Sequence, residues 1–199
     1  MPAFPPRHSV TLVRHPAAPE SAARGIEARV GWTDGGALAF TYRVKGDLNR
    51  LRIPPWRAPE RTDRLWEHTC FEAFVAVKDR PAYTEFNFAP SGEWAVHAFS
   101  SYRASAALAR DGSAPQITAR SAGDVFELHA LIDARLLPAL SARDRIKLAL
   151  AAVIEDDGGM LSYWALKHPP GTPDFHHADG FALELEYHAM TLRMDTERK

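Results

Sequence analysis

Residues 65–99, LWEHTCFEAFVAVKDRPAYTEFNFAPSGEWAVHAF, most narrow what this chain can fold into. Apolar residues recur on alternate positions, the period of a β-strand, and two turn signals divide the stretch into three strands. Asp79-Arg80-Pro81 ends the first, over residues 69–78, because proline has no N–H to give to a ladder. Pro90-Ser91-Gly92 ends the second, over residues 82–88, and the third starts near Trp94. A short first turn that pairs position 72 with 87 puts Phe71, Ala73, Val75 and Val77 on one face with Thr84, Phe86 and Phe88. The other face then carries Cys70, Glu72, Phe74, Glu85 and Asn87. The first face reads as core. The second is too polar for the middle of a sheet, which marks it as the place to look for function.

The rest of the chain repeats the strand pattern. Residues 9–14 alternate weakly, as an edge strand does. Ile26, Ala28, Val30 and Trp32 alternate with polar neighbours, Asp34-Gly35-Gly36 turns the chain, and Leu38, Phe40, Tyr42 and Val44 return. Residues 51–59 read as a short strand opening into a proline-rich loop, and residues 100–110 as a short helix or a long loop. Residues 116–120 and Phe126 to Ile132 supply two more strands, and residues 136–142 one helical turn. Residues 146–154, IKLALAAVI, are apolar on both faces, as in a strand buried on both sides. After the Asp156–Gly159 turn come a strand over residues 161–167, a loop over residues 168–179, and a last strand through Phe181, Leu183, Leu185 and Tyr187. About ten strands with little helix predict an all-β antiparallel sandwich, one domain with its core over residues 8–187 and a loosely ordered tail over 188–199.

Composition removes several classes of function. The 24 basic and 25 acidic residues nearly cancel, to a net charge of −1, so no electrostatic footprint for nucleic acid stands out. No segment approaches the roughly 18 uninterrupted apolar residues of a membrane-spanning helix. The one cysteine, Cys70, has no internal partner, and the proline-rich start offers no secretory leader, which together predict a cytoplasmic protein.

Two segments carry a family resemblance. The run Trp66-Glu67-His68-Thr69-Cys70-Phe71-Glu72-Ala73-Phe74, followed by Tyr83-Thr84-Glu85-Phe86-Asn87-Phe88 and Pro90-Ser91-Gly92, resembles the DOMON-like domains, which are similar to the family 9 carbohydrate-binding modules. Residues 162–170 (SYWALKHPP) and 174–181 (DFHHADGF) resemble the bacterial members of the DOMON-like group. The resemblance implies a β-sandwich that binds a small ligand, either a sugar or a haem.

Sugar rings present apolar C–H faces rimmed by hydroxyls, so a binding site needs aromatic platforms beside carboxylates and amides. Trp66, Trp94 and Trp164 are the candidate platforms, against the alternative that tryptophans fill a core. Glu72, Glu85 and Asn87 are the polar partners, joined by His68 and, from the late segment, Lys167, His168, Asp174, His176 and His177. A His/Cys metal cluster would draw on His68, Cys70 and His176, although the spacing matches no standard signature. A haem would take an axial histidine from His68, His97 or His168, with Met160 the methionine between strands. A Glu72/Glu85 acid–base pair, with His97 beside Glu85, defines an enzyme reading, but no nucleophile or phosphate-loop motif accompanies it. The expected function is therefore non-catalytic binding of a small, carbohydrate-like ligand. The alternatives are a haem- or metal-binding protein for electron transfer or sensing, and a protein-interaction module.

Overall fold

The computed structural model describes residues 8–108, 114–141 and 144–187. Strands β1 (His8–Arg14), β2 (Ala23–Trp32) and β3 (Leu38–Gly46) form a meander, and β9 (Val125–Ile132) and β8 (Gln116–Ala122) extend it beyond β3. The second group runs β7 (Ala104–Ala106), β6 (Trp94–Ser101), β5 (Tyr83–Phe88), β4 (Cys70–Val77), β10 (Arg145–Glu155) and β11 (Leu161–Ala165), with β12 (Leu183–Glu186) also on β10. Among the described residues every pairing between these strands is antiparallel. β1 links the groups, because His8–Leu12 pairs with β2 while Val13 and Arg14 pair with β11. Among the described residues twelve strands thus build the all-β sandwich that the alternation predicts. Among the described residues no helix is long and apolar enough to cross a membrane.

The register of β4 organises the packing. Phe71 opposes Phe88, Glu72 opposes Asn87 and Phe74 opposes Glu85 on β5, and Cys70–Val77 runs the length of β10 from Val153 to Ile146. The inward residues Phe71, Val75, Phe86 and Phe88 join Leu148, Leu150 and Ile154 in one core with Phe40, Tyr42, Leu128 and Phe126 of the opposite sheet. Phe71 meets Phe126 at 5.9 Å in a stacked pair and Tyr42 at 5.1 Å, and Phe40 meets Phe88 at 6.0 Å. The Tyr42 hydroxyl also donates to the Glu72 backbone carbonyl over 2.7 Å, which satisfies the one polar atom on a fully buried ring.

Several expectations shift. Residues 100–110 hold neither a helix nor a long loop as far as Leu108, because β6 continues to Ser101 and turns through Tyr102 and Arg103 into β7. Arg103 adopts φ 52°, the left-handed conformation that such a tight reversal needs. Residues 51–59 do not form a strand, for Pro54 and Pro55 withhold donors and only an isolated bridge from Leu51 to Asp156 remains. The helical turn lies at Ala134–Leu136, ahead of Pro138, rather than over 136–142. The last strand begins at Leu183, since Ala178–Gly180 forms a 3-10 turn that carries Phe181 onto the outer face of the sheet. Residues 111–112, 142 and the tail 188–199 lie outside the described residues.

Neighbours require glycine at Gly46, where a Cβ would collide with the Ala22 carbonyl oxygen, and at Gly92. Gly92 closes the β5–β6 turn with φ 94°, and a Cβ there would come within 2.9 Å of the Trp56 ring. Phe71→Ala should cost about 3–5 kcal/mol of unfolding free energy, through lost transfer and an unfilled cavity between the sheets. Guanidinium denaturation checks this against Val13→Ala, at an exposed β1 position, for which a change within roughly 0.5 kcal/mol is expected.

Candidate functional site

The outward side chains of the second sheet form a floor. Register places Tyr163 of β11 beside Val153 of β10, Glu72 of β4 near Glu85 of β5, and Glu85 opposite His97 of β6. The segment after β11 passes over one end of this floor, where Phe175 and Phe181 pack on Phe74, Ala76, Tyr83 and Ala149. At the other end, the turn Leu65–Glu67 covers Cys70, Ala89 and Ala95 through Leu65 and leaves Trp66 half exposed. Between the two lies a cleft of about 540 Å³, within the range of small-molecule sites. Glu72, Glu85, His97 and Val153 line its floor, Trp66, Tyr163 and Phe175 give it aromatic walls, and Arg103 and His176 border it.

Asp174 anchors the overlying segment. Its carboxylate accepts from the Tyr102 hydroxyl at 2.7 Å, from Arg103 Nη2 at 2.8 Å and from the His176 backbone N–H at 3.1 Å. These charge-assisted bonds tie the segment to the β6–β7 turn and engage the Arg103 guanidinium. The Tyr83 hydroxyl accepts from the Arg103 backbone N–H at 3.1 Å, so its proton points to His176 Nδ1 at 2.8 Å. Burial and the Arg103 charge push the His176 pKa down to about 4, leaving a neutral ring whose Nε2 carries the proton. That nitrogen lies 3.6 Å from Glu85 Oε2, a contact between a dipole and a carboxyl rather than an ion pair.

The two glutamates are the buried carboxyls of the cleft. Glu72 is 3% exposed and Glu85 5%. Glu85 Oε1 accepts from Asn87 Nδ2 at 2.6 Å, whereas Glu72 Oε1 finds no hydrogen-bond partner among the described residues. Burial first, and then the neighbouring Glu85 charge, raise the Glu72 carboxyl well above the usual range. Burial raises Glu85 as well, against the opposing pulls of Asn87, His97 and Arg103. The pair therefore retains a proton at pH values where ordinary carboxyls have lost theirs, and Glu72 can both donate and accept.

The structure brings together Trp66, Glu72, Glu85 and His176 around one cleft, with Asn87 beneath Glu85 and Asp174 behind Arg103. Other candidates go elsewhere. Trp164 alternates onto the inner face of β11, where it is 5% exposed and donates to Ser162 Oγ, and Trp94 packs against the same core. His68 turns outward to Glu155, and His168 bonds the Val13 carbonyl beside the His15 ring. Lys167 pairs with Asp179 at 3.7 Å, and His177 caps the Ala178–Gly180 turn. Among the described residues no three His, Cys, Asp or Glu side chains are placed to hold a metal. His68, Cys70 and His176 do not form a cluster: Cys70 Sγ is buried and donates to Asn87 Oδ1, while His176 faces Tyr83. The sequence reading missed Tyr163, Phe175 and Arg103. The alternation of SYW at residues 162–164 could have separated Tyr163 from Trp164, but nothing local marks Arg103 or Phe175.

The molecule is thus an antiparallel β-sandwich with a polar, aromatic-walled cleft on the outer face of one sheet. Solved structures with a similar fold include a Bacteroides uniformis protein provisionally described as carbohydrate-binding, at TM-score 0.65 and 16% identity, covering 90% of this chain and 85% of that one. They also include a family 9 carbohydrate-binding module from Caldicellulosiruptor kristjanssonii. Its cellotriose complex has TM-score 0.51 and 10% identity over 82% of this chain and 74% of that one. Its glucose complex has TM-score 0.50 and 10% identity over 86% and 80%. At these identities the likeness is one of fold. No protein-family model matches the chain, and no curated protein matches it in sequence.

Two results are expected. Glu72 and Glu85 keep protons in the folded state that the unfolded chain releases above its ordinary value of 4.5, so they favour folding below that value and lose this as pH rises through their folded pKa values. Glu72→Gln should therefore gain stability relative to the parent as pH rises above 4.5, read as the difference between two denaturation series. Taking the difference also cancels His176, whose lowered pKa acts in the opposite direction as pH falls. Asp174→Ala should speed amide hydrogen exchange across residues 171–178, with little change in the core strands.

Proposed function

We propose that this protein is a non-catalytic binding domain whose cleft holds a small carbohydrate. The observation that carries this reading is the Glu72 carboxyl, buried yet with an unpartnered oxygen, on the floor of a cleft walled by Trp66, Tyr163 and Phe175. A buried polar atom without a partner costs about 1–3 kcal/mol, and a ligand hydroxyl recovers that. Aromatic walls beside such a carboxyl match the two surfaces of a sugar ring, its apolar C–H face and its hydroxyl rim. Trp66 acts as the platform, Glu72 and Glu85 as hydrogen-bonding partners, and the Asp174-anchored segment as a fixed wall.

The sandwich fold shared with modules solved in complex with glucose and cellotriose supports the same reading. The Trp66–Phe74 and Ser162–Pro170 patterns support a DOMON-like relationship of the bacterial type. The free, buried Cys70 accords with a reducing compartment such as the cytoplasm.

Isothermal titration with glucose and short cello-oligosaccharides tests the proposal. Saturable binding is expected, weakened by about tenfold in Trp66→Ala, the loss of one good aromatic contact. Binding that Trp66→Ala and Glu72→Ala leave untouched would move the ligand elsewhere, and no heat with any sugar would end the carbohydrate reading.

A further inference from the structure

The charges around the cleft do not balance, and this narrows the ligand class. Two carboxyl side chains enter from neighbouring strands, Glu72 from β4 and Glu85 from β5. The titratable groups around them are Tyr42 on β3, Cys70 on β4, Tyr83 on β5, His97 on β6, Arg103 at the β6–β7 turn and His176 on the overlying segment. Arg103 already gives its guanidinium to Asp174 at 2.8 Å. His176 is neutral, and Cys70, held as a thiol by burial, donates to Asn87 rather than to either glutamate. Among the described residues no lysine, no arginine and no histidine other than the neutral His176 is within ion-pairing distance of Glu72 or Glu85.

Such an arrangement suits a ligand that brings a positive charge to the carboxyls a sugar's hydroxyls would otherwise meet. Buried carboxyls are normally matched by a cation, and an unmatched pair is costly. The remaining walls also favour positive charge, since the faces of Trp66, Tyr163 and Phe175 carry the negative lobes of their ring quadrupoles.

We infer that the ligand carries a primary ammonium, as an amino sugar does, and that this group sits at the Glu72 Oε1 position between the two carboxyls. This rests on the carbohydrate reading above and specifies it. An ammonium offers three N–H donors, enough for Glu72 Oε1 and for Glu85 Oε2, while the sugar ring lies along the aromatic walls. It also replaces a proton. Burial and mutual repulsion keep a proton on the Glu72/Glu85 pair, and the arriving cation expels it to solvent, so one positive charge enters as one leaves.

The experiment compares glucose with aminodeoxyglucoses that carry the amine at C2, C3 or C6, by titration calorimetry near pH 7 in phosphate and in Tris. At least one aminodeoxyglucose should bind about tenfold tighter than glucose, the scale of one charge-assisted contact. At a pH where the pair still holds its proton, its heat, corrected for protonation of the amine itself, should differ between the two buffers, while that of glucose should not. Glu72→Gln, which keeps the side-chain shape and removes the charge, should collapse the ratio of the two affinities toward one. If glucose binds and every aminodeoxyglucose binds equally or more weakly, the ammonium inference is overturned and the carbohydrate reading stands. If none of these sugars binds, both fall. A preference for the amine that persists undiminished in Glu72→Gln also overturns the inference, because the charge would then be read by other groups.

Discussion

The rest of the structure depends on how β4 is clamped from its inner side. Phe71 is wedged between Tyr42 and Phe126 of the opposite sheet, and the Tyr42 hydroxyl holds the next backbone carbonyl, that of Glu72. A strand so fixed cannot slip by one residue without sending its phenylalanines to the surface. The same clamp leaves Glu72 no choice of direction. Packing on one face thus positions a carboxyl on the other, and the cleft floor is as rigid as the core beneath it.

The outer face is functional because it is half covered. An antiparallel sheet ordinarily leaves its polar face in water, where glutamates are hydrated and unperturbed. Here the segment after β11 lies across that face and removes water from Glu85, His176 and Phe74. The Asp174 anchor makes the covering permanent, through bonds to the Tyr102 and Arg103 side chains and to its own backbone. A second depression of about 650 Å³, lined by Ala76, Pro81, Lys147 and His177, lies on the far side of the same segment. It has no buried unpartnered polar side chain, whereas the cleft over Glu72 does, and on that ground chemistry is assigned to the smaller space.

Local sequence was a good guide where the fold is set by alternation. A short-turn register that pairs 72 with 87, and its continuation that sets His97 beside Glu85, are the ones observed, and the β2–β3 hairpin follows from its glycine turn. Alternation was less help where proline or a tight reversal intervened. The Tyr102–Arg103 turn had no glycine to announce it, and Arg103 reaches positive φ without one. Trp164 shows the limit from another side: in a strand of five residues, one step decides whether an aromatic ring joins the core or the cleft, and Tyr163 took the outer position.

Sequence by itself determined most of the strands, the two faces of β4 and β5, and the oddity of glutamates on a central sheet, because period and turn chemistry act over a few residues. Tertiary structure alone decided what those glutamates became. His176 reaches Tyr83 across 93 positions, and Asp174 reaches Tyr102 across 72. Such meetings depend on how the sheets order and close, which no local pattern encodes. The burial that raises the two carboxyls follows from that closure, and with it the character of the cleft.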